Sequence, residues 1–219
     1  MIRRHGPMAW LAAGVVGFAA SHLLDGAGFR WSRTIELARL EEQDWYKLFR
    51  VAGYLPTWVL VGLALILVDR KRLTGRPVRE VARRGAALVL AATGSGLLAE
   101  LLKMAVGRAR PIVTGGRYEF RAFLRGFVES ADLGLPSSHA AVAFGAGFAL
   151  LALHRPLWPL AALLGAGCAA GRVASGAHFV SDTVGSLVVG LAGAMLAARL
   201  TRGWEGRGAA GDRGGGAES

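Results

Sequence analysis

Apolar residues in this chain come in long runs, not in the one-sided or alternating patterns of a water-soluble fold. Six runs stand out: Pro7–Leu24, Val51–Val68, Gly85–Val106, Ser138–Leu153, Leu157–Ala174 and Phe179–Ala198. A bilayer core takes about 17–25 mostly apolar residues in helical form. Five of the runs reach that length and Ser138–Leu153 falls just short. Helices of a soluble bundle would carry a polar face, and these mostly do not. The predicted fold is all-α: a polytopic membrane helical bundle with six transmembrane helices. Its Ala and Gly content suits close packing in lipid, and Gly167 and Gly171 form a small-xxx-small pair. Arg3 and Arg4 before the first run also fit a signal peptide, but the residues around Ala19 and Ala20 make a poor cleavage site. The first run is therefore read as a retained helix. Residues 1–202 form the membrane domain. Residues 203–219 are Gly-rich and polar and read as a disordered cytoplasmic tail.

Composition narrows the class further. Among 219 residues, 53% apolar content excludes a disordered chain, and 32 glycines without a Gly-X-Y period exclude collagen. Cys168 is the single cysteine, so neither an intrachain disulfide nor a cysteine-based metal site is available. The net charge of +11 would suit nucleic acid if it formed stripes on a soluble fold. Here the charges sit between apolar runs, so the expected partners are membrane lipids and no nucleic acid. Loop 2–3 is short and holds Arg70, Lys71, Arg72, Arg76, Arg79, Arg83 and Arg84. Basic residues on the opposite side are spread over longer loops that also hold Glu36, Glu41, Glu42 and Asp44. The positive-inside rule then puts both termini in the cytoplasm, with the protein in the cell (inner) membrane. Oligomeric state has no signature in this pattern.

Against this background the ionisable residues near the ends of the runs are conspicuous, because each costs several kcal/mol to bury. They are Glu100, Lys103, His139, Arg172, His178 and Asp182. Lys103 closes the third run, His139 opens the fourth, Arg172 closes the fifth, and His178 and Asp182 open the sixth. In a six-span topology these ends share one face, opposite the termini. The segment KMAVGRARP adds Arg108 and Arg110. Guanidinium groups grip phosphate oxygens in pairs and lysine adds a point charge, so the cluster calls for a phosphate. Pairing with acidic headgroups would account for Arg108, and pairing with Glu100 partly for Lys103. Neither explains two histidines in the same company.

In LPSSHAAVAFG, Pro136 ends a loop and Ser137 or Ser138 is placed to cap a helix. Free N–H groups at such a start bind anions, and His139 would sit beside them. His178 and Asp182 are four apart, on one face if helical, where the carboxylate accepts an imidazole N–H and orients the ring. Two histidines and one aspartate could also hold zinc, but a divalent cation beside Lys103, Arg110 and Arg172 would be repelled.

Lys103-x6-Arg110-Pro111, then Pro136-Ser137-Ser138-His139, then Arg172-x5-His178-x3-Asp182 resembles the three-part signature of the type 2 phosphatidic acid phosphatase (PAP2) superfamily. The resemblance implies a lipid phosphate phosphatase that needs no metal or other cofactor. It implies His178 as nucleophile forming a phosphohistidine, Asp182 as the group orienting it, and His139 as acid towards the departing alkoxide and then as helper of water. Lys103, Arg110 and Arg172, with Ser137 and Ser138, would bind the phosphate. Two positions depart from the family pattern: Ser138 stands where glycine is usual, and Gly171 where serine is usual. His178 attacks only when neutral and His139 acts as an acid only when charged, so activity should be bell-shaped in pH.

Loop 3–4 places Phe120, Phe123, Leu124 and Phe127 at helical spacing, with Arg117, Arg121 and Arg125 on a neighbouring face. A short interfacial helix is expected there, holding the site mouth at headgroup level. The resemblance implies phosphatidic acid, phosphatidylglycerophosphate, undecaprenyl pyrophosphate or the 1-phosphate of lipid A as substrate, and the outward site leans towards carrier-lipid recycling or envelope remodelling. A phosphotransferase passing the group to a second lipid would use the same residues. A small membrane transporter would instead place its charges near the midplane, within internal repeats that this sequence lacks.

Overall fold

The computed structural model describes residues 7–122 and 130–203. Ten α-helices make up nearly all of it: α1 Pro7–Ser21, α2 Asp25–Ser32, α3 Leu37–Glu42, α4 Asp44–Ala52, α5 Leu55–Arg72, α6 Val78–Val106, α7 Pro111–Thr114, α8 Ser138–Leu153, α9 Trp158–Ala174 and α10 Val180–Arg202. Pairing outside helices is confined, among the described residues, to two isolated antiparallel bridges, Arg108 with Phe120 and Ala109 with Leu133.

Helix α6 is the central post, packed against α5, α8 and α10, while α9 and α1 close the flanks against α8 and α10. The three innermost helices meet on small residues. Ser95 of α6 donates its hydroxyl to the Ala91 carbonyl at 2.7 Å. A Cβ added at Gly145 of α8 would stand 2.8 Å from the Ala91 carbonyl oxygen, and one at Gly193 of α10 only 2.9 Å from the Ser95 nitrogen. Close backbone approach replaces the hydrophobic effect as the packing force in lipid. The outward faces agree with that solvent: Leu63 and Leu67 of α5, Leu97 and Leu101 of α6, Leu163 of α9 and Leu196 of α10 are exposed, while Ser95, Ser181 and Ser186 are buried.

All six apolar runs are helical over most of their length, but they differ in reach. Val78–Val106, Arg155–Ala174 and Val180–Arg202 are long and apolar enough to cross a membrane. The second run is broken. Helix α4 ends at Ala52, Tyr54 is extended, and α5 restarts with Pro56 in its first turn, so the two helices meet at 69° and reach membrane length only when the bent pair is taken together. Proline is tolerated there because first-turn N–H groups have no helical partner. The Trp58 indole N–H bonds the freed Ala52 carbonyl at 2.7 Å. Helix α8 has 16 residues and α1 has 15, about 24 Å and 22 Å of rise against a core of about 30 Å. By length and composition, then, the described residues hold three candidate spans, or four with the bent pair taken as one.

Gly167 and Gly171 do let a helix pack close, against an aromatic surface: added Cβ atoms there would meet the rings of Phe49 and Tyr46 on α4. One expectation is corrected. The interfacial helix does not begin at Phe120. Arg108 and Phe120 instead form a bridge, flanked by Ala109 N–H bonding the Glu119 carbonyl and Arg121 N–H bonding the Gly107 carbonyl. Phe123, Leu124, Arg125 and Phe127 lie outside the described residues, as does the expected tail beyond Gly203.

Candidate active site

Helix α6 ends where Gly107 takes the left-handed conformation and returns its N–H to the Lys103 carbonyl. That stop leaves Lys103 in the last turn and starts the loop that carries Arg110. Helix α8 begins at Ser138, with Ser137 in the extended N-cap position. These two helix ends, the loop at Ala131 and the loop before α10 enclose a cavity of about 250 Å³ lined by Glu100, Lys103, Arg110, Ser138, His139 and His178. Residues from four separate segments thus share one space.

The cations of the cavity are only partly committed. Lys103, buried, sets its Nζ 2.9 Å from Glu100 Oε1, and the Ser138 hydroxyl donates to the same oxygen. Arg110 donates Nε–H to the Leu133 carbonyl at 3.1 Å, and its two terminal nitrogens have no partner among the described residues. Arg172, in the last turn of α9, does not line the cavity itself. Its Nε is buried without a partner among the described residues, and its charge acts on Arg110 and His178. The first-turn N–H groups of α8 have no helical acceptor and open beside these cations, which is an anion-binding arrangement. Ser137 does not line the cavity: its N–H bonds the Asp182 carbonyl at 3.3 Å, and its hydroxyl is buried, unpartnered among the described residues, and makes no cap bond.

His178 lies before α10, not on it, so the expected helical i,i+4 face with Asp182 is replaced by a different geometry. Phe179 is the N-cap of α10, and Asp182, at N3, accepts the Phe179 N–H at 2.8 Å. His178 Nδ1 is 3.6 Å from Asp182 Oδ2, too far for a hydrogen bond, and 2.9 Å from the Gly134 carbonyl oxygen. A carbonyl only accepts, so Nδ1 carries the proton and Nε2 is the nitrogen left with a lone pair in the ring that lines the cavity. Burial, reinforced by the charges of Arg172 and Arg110 and opposed by Asp182, pushes the His178 pKa down to about 4. The imidazole is therefore neutral at physiological pH.

Behind the cavity lies a second cluster, buried apart from Tyr118 at its edge, that the sequence did not reveal. The sequence left Arg108 between the phosphate-binding cluster and pairing with acidic headgroups. Instead it is 2% exposed, bonds Asp182 Oδ1, and reaches the Ser181 hydroxyl at 2.7 Å. Its guanidinium lies 5.3 Å and 5.1 Å from the ring centroids of Tyr118 and Phe179. Asp25, buried at the start of α2, accepts the Ser181 N–H and the Tyr118 hydroxyl, both at 2.7 Å. Asp182 is thus saturated by Arg108 and backbone. Gly134, Asp25 and Ser181 carry no motif that would have marked them. Gly53 and Tyr54 had a signal, the break in the second apolar run. Tyr54 sets its ring edge-on to His139 at 5.3 Å, and a Cβ on Gly53 would stand 2.8 Å from that of His139.

Among the described residues no group of three or more His, Cys, Asp or Glu side chains is placed to hold a metal ion. An apolar groove of about 210 Å³, lined by Val15, Phe18, Leu102, Val106 and Val188, reaches Leu135 and Pro136, with Pro136 two residues before the cavity's Ser138.

The profile of the PAP2 superfamily matches residues 84–205. That stretch contains every residue lining the cavity and covers more than half of the chain. This chain belongs to the PAP2 superfamily. It is 38% identical over 118 residues to a protein of Rhizobium johnstonii named lipid A 1-phosphatase, a match covering 52% of this chain and 46% of that relative. A protein of the same name from Rhizobium etli is 38% identical over 110 residues, 48% of this chain and 45% of the relative. The matched region is thus a little under half the length of these curated relatives. No solved structure matches the chain. Both departures from the PAP2 pattern have a local physical account. Ser138 uses its extra hydroxyl to hold Glu100. Gly171 faces the Tyr46 ring, 3.3 Å from where a Cβ would stand, so a larger residue would press on α4.

Proposed function

We propose that this chain is a metal-independent phosphatase of a lipid phosphate, working through a phosphohistidine. The observation that carries the reading is that His139 and His178 line one cavity with Lys103 and Arg110. His178 Nε2 attacks phosphorus as the bond from phosphorus to the lipid oxygen breaks. His139 protonates the leaving oxygen, then takes a proton from the water that attacks the phosphohistidine and frees inorganic phosphate and His178. Lys103, Arg110 and the first-turn N–H groups of α8 hold the phosphoryl oxygens, and the charge of Arg172 from beyond the cavity lining helps offset the charge that builds on them. The Gly134 carbonyl fixes the tautomer of His178, and Asp182, at 3.6 Å, lends negative charge to the ring as it becomes cationic.

A lipid substrate is supported by the apolar helices, the groove at Leu135–Pro136 and the name of the two relatives. We read α1, the α4–α5 pair, α6, α8, α9 and α10 as six spans with cytoplasmic termini and an outward site in the inner membrane. Supporting this, Arg79 and Lys103 stand at opposite ends of α6, about 36 Å apart by helical rise, which exceeds a bilayer core of about 30 Å. Exposed Trp31, Trp45 and Tyr118 on the segments around the site suit the headgroup layer.

The test is phosphate release from a panel of lipid phosphates in detergent, with chelator present and no acceptor lipid. Wild type should turn over, and His178→Ala should lose about a thousandfold or more. Turnover by His178→Ala, or loss of wild-type turnover on adding chelator, would overturn the mechanism. Preference for soluble phosphomonoesters would overturn the lipid assignment.

A further inference from the structure

The two histidines of the cavity are held in different ways. His178 is fixed by the Gly134 carbonyl at 2.9 Å, whereas neither ring nitrogen of His139 has a hydrogen-bond partner among the described residues. An acid that must meet one particular oxygen needs its ring held by something else. What touches it comes from the break in the second apolar run. The Tyr54 ring lies 5.3 Å from the His139 ring, inclined at 62°. Gly53 has no side chain, so the end of α4 seats on His139 itself: a Cβ there would stand 2.8 Å from the His139 Cβ and 3.0 Å from its carbonyl oxygen. The break is also well tied. Carbonyls freed inside a membrane need partners. Here the Arg50 carbonyl takes the Gly53 N–H, and the Val51 carbonyl takes the Tyr54 N–H and the Thr57 hydroxyl, all at 3.0 Å. Tyr54 is held in turn by Arg50, whose guanidinium lies 5.9 Å from the Tyr54 ring centroid and 3.6 Å from Glu41 Oε1. Arg50, Gly53 and Tyr54 all precede residue 84, where the stretch matched to the PAP2 profile begins.

We propose that Tyr54 is a positioning residue for His139: from outside the PAP2 stretch, its ring holds the imidazole where the proton reaches the leaving oxygen. The proposal rests on the phosphatase reading above and adds to it the group that aims the acid. In the first half-reaction the bond from phosphorus to the leaving oxygen breaks as the bond from His178 Nε2 forms. The leaving oxygen keeps the electron pair and takes the proton of His139. An alkoxide is a strong base and needs that proton. A nitrophenolate is a weak base and departs without it. Misplacing His139 therefore harms the first kind of substrate and largely spares the second. A tyrosine serving only as an anchor in the headgroup layer would not distinguish the two.

The experiment reads kcat/KM, which covers the steps up to departure of the leaving group, for two substrates in the same detergent. One is phosphatidic acid, or the fastest lipid phosphomonoester of the panel above. The other is a nitrophenyl phosphate with a long alkyl chain on its ring. Wild type is compared with Tyr54→Leu, Tyr54→Phe, His139→Ala, the double variant Tyr54→Leu/His139→Ala, and His178→Ala. Tyr54→Leu should lower the lipid value by about ten- to hundredfold. His139→Ala should lower it by about a hundredfold or more. Both should lose much less on the aryl phosphate. Tyr54→Phe keeps the ring and should recover most of the lipid value. The double variant should match His139→Ala alone, because Tyr54 then has no acid to aim. Equal losses on the two substrates, no loss, or losses that multiply in the double variant would overturn the proposal while leaving His178-dependent phosphatase activity intact. If Tyr54→Leu does not fold, Tyr54→Met replaces it, and if the aryl phosphate is not turned over, the double variant decides. Absence of His178-dependent release across the panel removes the phosphatase reading itself, and this proposal with it.

Discussion

Arg108 and Arg110 are two residues apart in one loop, and they live in opposite worlds. Arg110 lines the cavity with its terminal nitrogens uncommitted among the described residues, while Arg108 is sealed behind it against Asp182, Ser181 and two aromatic rings. The front cations are held apart from full neutralisation, so an incoming phosphate meets charge that has not been spent on protein partners. The rear cation is committed through one terminal nitrogen to Asp182 and Ser181, while its Nε is buried without a partner among the described residues. It fixes the N-terminus of α10, and with it the loop from which His178 faces the cavity. Binding power and positioning are therefore divided between two charges of the same type, and burial with complementary partners separates them.

The comparison breaks first at Arg108. Arg108→Met should leave the buried Asp182 uncompensated and cost about 3–5 kcal/mol, so that folded protein is lost or melts far earlier in a detergent unfolding scan. A variant that melts like wild type would show that the rear cluster does not hold the fold. Next in size is Arg110→Ala. It should melt as wild type does but lose about a hundredfold or more in kcat/KM towards lipid phosphates, since it removes charge aimed at the phosphoryl oxygens and little packing. Equal damage to melting and turnover would erase the distinction between front and rear. The smallest effect sharpens the picture through pH. Because the His178 pKa is pushed down to about 4 from 6.5, acidification protonates the nucleophile only as pH falls through the lower value. The acid limb of kcat/KM assigned to His178 should therefore fall near pH 4. A limb at pH 6.5 would mean that burial and the neighbouring arginines do not keep this ring neutral.

Much of this was readable in the linear chain. Long apolar runs marked the helices because lipid-facing segments lack the polar stripe that would otherwise blur their ends. Lys103, Arg110, Ser138, His139 and His178 were marked as one group because charged and imidazole side chains at the ends of such runs have few bland explanations, and these five do line one cavity. What escaped was short-range in space and long-range in sequence. Gly134 reaches His178 across 44 positions and Asp25 reaches Ser181 across 156. A carbonyl or a lone aspartate has no spacing that announces such a partner. The i,i+4 rule misled at His178 and Asp182 because α10 starts between them, at Val180, and turns a helix-face pair into a capping arrangement.

The sequence by itself determined the helical class, the membrane-length runs and the inventory of groups suited to phosphate chemistry, because these follow from local hydrophobicity and side-chain type. Only the tertiary structure decided which arginine faces the cavity, which acceptor holds the imidazole, and where the second run bends, because each depends on what another helix brings within about 3 Å to satisfy a buried polar group.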